Sequence, residues 1–272
     1  AEFLRYLLID KGYSENTIES YKRDLDKFLE FNKDKGFFIN GRNVKINGVC
    51  EHHDLGALGS AFNTAAMRRK LLKLREMGVN AVRTSHNMPA KELMELCDEL
   101  GFLVDSEAFD MWESPKTEYD YGRYFNDWYE KDVASWVRRD RNHASLIMWS
   151  LGNEIPDTMR ETRGQEITRN LRDAVIKNDP KRHMPITHGS NFMKWECAQG
   201  CANELELQGY NYAEFLYDEH HAKNPHWVIY GSETASVLAS RGIYHFPKAK
   251  HILSDTDEHC SALGNTITGW GA

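Results

Sequence analysis

The 272-residue sequence is 41% hydrophobic, 28% charged and 11% aromatic, with only 7 Pro. That composition excludes a disordered chain and leaves ample material for one large core. A formal net charge of −7 speaks against a broad electrostatic grip on nucleic acid or an anionic membrane, and no apolar run is long enough to span a bilayer.

Residues 1–34 read as helical. Phe3, Leu4, Leu7 and Leu8 make one apolar face that ends at Lys11-Gly12. Ser14 or Asn16 can cap a second helix, along which Ile18, Tyr21, Leu25, Phe28 and Leu29 recur at helical spacing. This predicts a helical hairpin too small to bury a core of its own, with basic residues balanced by a comparable number of acids. The N-terminus carries charges among its apolar residues and no secretory cleavage pattern. Cys50, Cys97, Cys197, Cys201 and Cys260 are odd in number and scattered, so reduced thiols in a cytoplasmic setting are expected.

From about Lys35 the pattern changes. FFINGRNVKINGV alternates about Asn40-Gly41, which predicts a hairpin. Helices are then predicted at Thr64–Met77, stopped by Gly78, at Pro89–Leu100, stopped by Gly101, at Phe125–Arg139 with Trp128, Val133, Trp136 and Val137 inward, and at Ile167–Lys177. Strands are predicted at Ile46–Val49, Val79–Thr84, Phe102–Glu107, Leu146–Trp149 (apolar throughout, hence buried on both faces), Met184–His188, Leu205–Tyr212 and Trp227–Gly231. Repeated strand–helix units predict an α/β fold, and a (β/α)8 TIM barrel before a doubly wound sheet, because of where the polar residues fall.

They follow the strands. Glu51, His52 and His53 come after the first, Arg83, Ser85 and His86 after the second, and Asp105 and Glu107 after the third. Asn153 and Glu154 follow the fourth, Asn211 and Tyr212 the sixth, and Ser232 and Glu233 the seventh. The C-terminal ends of barrel strands are where catalysis is built. Glu154 and Glu233 suit glycosidic bond cleavage, which needs one carboxyl to protonate the leaving oxygen and another on the opposite face of the sugar.

GVCEHH, NAVRTSHNMP, LCDELGFLVDSEAF, RDRNHASLIMWSLGNE and IYGSE resemble the barrel of glycoside hydrolase family 2, the β-galactosidase, β-glucuronidase and β-mannosidase family, over about residues 35–272. The resemblance implies a retaining mechanism with Glu154 as acid/base and Glu233 as nucleophile. It places Asn153 on the sugar 2-hydroxyl, His52 and His86 on sugar hydroxyls and Tyr212 near the nucleophile; a nearby cation such as Arg83 should keep the Glu233 pKa low, and Glu107 is expected to orient the site. Trp149 reads equally as core or as a sugar platform. Some family members bind magnesium with a Glu and a His beyond the third strand; EAFDMW lacks the His, so no cofactor or metal is expected.

The stretch FLRYLLIDKGYSENTIESYKRDLDKFLEF is similar to the start of the core-binding domain of Xer-type tyrosine recombinases. The expected organisation is a recombinase-like segment at 1–34 fused to a barrel at 35–272 that stops before its eighth strand. The expected function is a retaining exo-β-glycosidase of β-galactosidase type acting on a carbohydrate substrate. A β-glucuronidase or other specificity of the family is the first alternative, and a non-catalytic fusion with DNA-binding helices the second. An oligomer is left open.

Overall fold

The computed structural model describes residue 22, residues 36–181 and residues 184–234. The chain divides into two compact units, Ala1–Asn47 and Gly48–Ala272. The helical hairpin predicted over 1–34 and the cysteine at 260 lie outside the described residues.

In the first unit, β1 (Phe38–Ile39) pairs antiparallel with β2 (Arg42–Asn43). Asn40 and Gly41 turn the chain with φ of 50° and 75°. Two successive positive φ values define the hairpin turn whose twist matches the strands, and Asn-Gly is the pair that adopts it at least cost.

The second unit holds seven parallel strands: β3 (Gly48–Glu51), β4 (Ala81–Thr84), β5 (Leu103–Glu107), β6 (Leu146–Asn153), β7 (Ile186–Ser190), β8 (Gln208–Asn211) and β9 (Ile229–Glu233). Their order in the sheet is their order in the chain. A doubly wound sheet reverses direction at a switch point; this one never does. Between consecutive strands run α1 (Thr64–Glu76), α2 (Lys91–Leu100), α3 (Phe125–Asp140), α4 (Glu161–Asn178), α5 (Glu196–Ala202) and α6 (Tyr217–Lys223). The sheet curls into an open barrel, because Cys50 of β3 reaches the Ser232 carbonyl of β9 at 3.4 Å and Arg83 of β4 reaches Glu233 of β9 at 2.7 Å.

Strand periodicity divides the side chains between two environments. Val82 and Val104 join the apolar layer with Leu71 of α1, Met94 of α2, Trp136 of α3 and Leu171 of α4. Their neighbours Arg83, Asp105 and Glu107 are buried among polar partners instead. All eight residues of β6 are buried, as its apolar run predicts. Trp149 packs edge-on against Trp136 at 4.7 Å with no exposed surface, so it is core and not a sugar platform.

Four expectations need correction. Trp128 is 49% exposed with Lys131 Nζ over its ring at 4.3 Å; on a 3.6-residue helix it lies off the stripe set by Phe125, Val133, Trp136 and Val137. Helix α4 begins at Glu161, six residues before the first apolar one of its stripe, Ile167, and its opening turns therefore give no periodic signal. Strand β8 begins at Gln208, since Leu205 closes a turn onto the Ala202 carbonyl. Glu51 belongs to β3 itself, buried against Lys70 of α1 at 2.6 Å, and so faces a helix.

Candidate active site

Arg83 organises the C-terminal end of the sheet. Its Nε and Nη2 donate to Glu107 Oε2 at 3.0 and 2.6 Å, its Nη1 to Glu233 Oε1 at 2.7 Å, and its Nη2 also to Asn153 Oδ1 at 2.9 Å. The planar fork of donors lets one guanidinium hold side chains from three strands. Space for it comes from Gly189 in β7, where a Cβ would stand 2.5 Å from Arg83 Nη2 and 3.1 Å from Asn211 Oδ1. Burial works against the charge of Arg83, but the surrounding anions, Glu107 foremost, outweigh it and raise its pKa.

Glu107 is fully buried and saturated with donors. Oε2 also accepts from Ser150 Oγ at 2.7 Å, Oε1 meets His86 Nδ1 at 2.7 Å, and its backbone N–H donates to Thr84 Oγ1 at 2.8 Å. Burial pushes its pKa up, but Arg83 and the hydrogen bonds from His86 and Ser150 prevail and hold it at about 2. A carboxylate committed to these donors does not fit a divalent ion. Among the described residues no group of three or more His, Cys, Asp or Glu could hold one.

Glu233, at the end of β9, is 8% exposed. Its Oε1 faces Arg83 and His86 Nε2, the latter at 3.3 Å, while Oε2 accepts from Tyr212 Oη at 2.6 Å. Glu154 stands after β6 in a different setting. Its Oε1 accepts from Asn211 Nδ2 at 3.0 Å, and its pKa is raised, by burial first, opposed by that hydrogen bond and then supported by the negative charge of Glu233. Asn211 also donates to Asn153 Oδ1 at 2.9 Å and accepts from Ser232 Oγ at 2.6 Å. Glu154 and Tyr212 both have positive φ, 46° and 53°. Non-glycine residues pay for that conformation in strain, of order 1–3 kcal/mol each, and such residues concentrate at functional sites.

Of the residues singled out from the sequence, Arg83, His86, Glu107, Asn153, Glu154, Tyr212 and Glu233 form one contiguous network. His52 joins through its ring, edge-on to His86 at 4.9 Å. His53 turns away, to the Asn87 carbonyl at 3.3 Å. Asp105 faces the barrel interior, where Oδ2 accepts from Tyr230 Oη at 3.1 Å and burial pushes its pKa up to about 7. In the same interior His188 has no hydrogen-bond partner on either ring nitrogen, and burial pushes it down to about 4. Sequence reasoning left Ser150 out, although its position three residues before Asn153 on a doubly buried strand could have marked it. Asn211 was marked in the sequence as a polar residue after the sixth strand, with no role given to it. Cys197 and Cys201 share one helix and remain free, as do Cys50 and Cys97.

The C-terminal ends of sequential parallel strands, where this cation-bridged set of carboxylates lies, are where barrel enzymes build their active sites. The model of the TIM barrel domain of glycosyl hydrolases family 2 matches residues 31–242, and the chain belongs to that family. Residues 1–42 match the N-terminal SAM-like domain of phage integrases, in keeping with the recombinase-like start. The β-galactosidase BoGH2A of Bacteroides ovatus is 38% identical over 87% of this chain and 32% of its own length. Human β-glucuronidase is 32% identical over 57% of this chain and 23% of its own. A solved family 2 member from Bacteroides cellulosilyticus superposes with a TM-score of 0.70 at 39% identity, over 75% of this chain and 26% of that one. The chain thus spans about a third or less of these relatives.

Proposed function

We propose that residues 35–272 are the catalytic barrel domain of a retaining exo-β-glycosidase of β-galactosidase type, preceded by a recombinase-like segment at 1–34. One observation carries the reading: two carboxyls at the ends of the fourth and seventh strands meet in one network in opposite electrostatic settings. Glu233 accepts from Arg83 and Tyr212, with His86 Nε2 3.3 Å away, a setting suited to an ionised nucleophile. Glu154 has one amide donor and a raised pKa, suited to an acid protonated at rest.

Glu233 attacks the anomeric carbon while Glu154 gives its proton to the leaving oxygen. The glycosyl-enzyme bond cancels the charge of Glu233, which had favoured the proton on Glu154. Glu154 then takes a proton from water, which attacks the anomeric carbon and releases Glu233. Asn153, fixed by Arg83 and Asn211, meets the sugar 2-hydroxyl, and His52 and His86 meet other hydroxyls. The free thiols support a reducing, cytoplasmic setting. The extended match to a β-galactosidase supports that specificity.

The test is intact-mass spectrometry and peptide mapping after incubation with 2-deoxy-2-fluoro-β-galactosyl and β-glucuronyl fluorides, whose fluorine slows breakdown of the intermediate. A galactosyl label on Glu233 is expected. A label from the glucuronyl reagent alone reassigns the sugar, and a folded chain labelled elsewhere or not at all rejects the assignment.

A further inference from the structure

The loop between β5 and the short helical turn at residues 121–123 contains an ion pair that none of the roles above uses. Lys116 Nζ donates to Asp110 Oδ1 at 2.7 Å and to the Asn153 backbone carbonyl at 2.8 Å. The pair is largely shielded, at 24% and 29% exposure. Asp110 Oδ1 also lies 3.4 Å from Asn153 Nδ2, so the two ends of the Asn153 amide are told apart: Oδ1 receives Arg83 and Asn211, and Nδ2 faces a carboxylate.

The carbonyl that Lys116 holds belongs to the peptide leading into Glu154, the residue with φ of 46°. The N–H of that same peptide donates to the Gly189 carbonyl at 2.8 Å. Lys116 and β7 thus grip opposite edges of one peptide plane, and the plane fixes where the Glu154 side chain starts.

The loop is itself anchored. Asp120 accepts from the backbone N–H groups of Lys116, Thr117 and Gly122 at 2.7, 2.8 and 2.9 Å. Ser114 binds Asp157 through N and Oγ, and Trp112 Nε1 donates to the Leu151 carbonyl in β6.

We infer that Lys116, steadied by Asp110, is a positioning residue for Glu154: it pins the peptide that leads into this residue of positive φ and so fixes where the carboxyl that must give and regain a proton starts. This rests on the acid/base reading of Glu154. The charged groups that act on that carboxyl are Glu233 from β9, Lys116 from the loop after β5 and His86 from the loop after β4. Arg83 is engaged with Glu107 and Glu233. Burial raises the pKa of Glu154, Glu233 adds to the rise, and Lys116 followed by His86 oppose it. Lys116 favours the ionised form, so its removal drives the pKa further up.

The direct test titrates Glu154 by NMR in protein carrying 13C-labelled glutamate, the resonance assigned by its loss in Glu154→Gln. In Lys116→Met the apparent pKa is expected to rise by about half a pH unit or more, and in Lys116→Arg to stay near the parent. In kinetics the alkaline limb of kcat/KM should move up in step. Turnover of a glycoside with a poor leaving group should fall on the order of 10-fold more than that of an activated aryl glycoside, since only the former needs the proton. Asp110→Asn, which loosens the lysine while leaving its charge, should reproduce the leaving-group split without the rise in pKa.

An unmoved Glu154 titration in a Lys116→Met protein whose thermal melt remains cooperative overturns the inference. So does an equal loss on both leaving groups, or a Lys116→Arg variant that titrates like Lys116→Met. Failure of the glycosidase reading registers separately, as a fluoro-sugar that never labels Glu233, and leaves the NMR titration readable.

Discussion

Two sides of the strand ends can be compared, the β4–β5 side around Glu107 and the β6–β8 side around Glu154. Each carries a carboxyl of the same network, Glu107 fully buried and Glu154 half-buried. Around Glu107 stand a guanidinium, an imidazole and a hydroxyl, and its pKa falls to about 2. Around Glu154 stand one amide and a more distant lysine, and its pKa rises. Burial acts in the same direction on both. What separates them is the number and charge of donors, which fits the proposed split between a fixed scaffold and a proton-exchanging acid.

The largest effect should come from removing the scaffold's cation. Arg83→Met leaves Glu107 buried without its main counter-charge and Glu233 without one of its donors. An expected loss of about 3–5 kcal/mol in stability by urea unfolding would be accompanied by loss of glycosylation. A variant that unfolds like the parent would erase the distinction between the two sides.

On the proton-exchanging side, Glu154→Gln should lower kcat/KM by about 10²- to 10⁴-fold on glycosides with poor leaving groups and much less on activated ones. For the parent enzyme, a raised Glu154 pKa means that activity holds to higher pH than an ordinary glutamate would allow and falls as the acid is lost. A steady-state pH profile in the parent and in Glu154→Gln checks both points, and equal loss on every leaving group would sink the assignment.

The barrel interior sharpens the same lesson, because Asp105 and His188 respond to burial with opposite signs. Asp105, raised to about 7, contributes stability that is full below the unfolded pKa and is lost as pH rises towards 7. His188, lowered to about 4, contributes the reverse, since the unfolded chain takes up the proton first as pH falls below 6.5. Between pH 4 and 6.5 the two largely cancel. In Asp105→Asn stability should therefore rise across that window by on the order of 3 kcal/mol, and in His188→Gln it should fall by a similar amount, both read from urea midpoints at the two pH values.

Ser150→Ala is the mildest test. It removes one donor of the set on Glu107, for an expected loss of about 1.5 kcal/mol, with the leaving-group dependence of the parent retained. A change in that dependence would mean that the two sides are coupled more tightly than the separate hydrogen bonds imply.

Much of this was legible in the residues themselves. Alternation and helical spacing, closed by Gly78 and Gly101, located the strand–helix units, because burial of an apolar face imposes those periods on any sequence. The polar residues that follow the strands pointed to the proposed active end, and the motifs around Asn153-Glu154 and Glu233 carried the resemblance to the family that the chain belongs to. Other things were out of reach. Trp128 looks like core until the helix face is known, and Glu51 looks like a mouth residue until Lys70 of α1 is seen against it. That Arg83 serves Glu107, Glu233 and Asn153 together depends on side chains from separate strands and on the space at Gly189. The grip of Lys116 on the peptide before Glu154 joins a loop to a strand end 37 residues away. Local sequence sets which elements form, since their hydrogen bonds and apolar stripes are local. Which carboxyl is held ionised and which has its pKa raised is set by the tertiary structure, because charge and desolvation act through space and not along the chain.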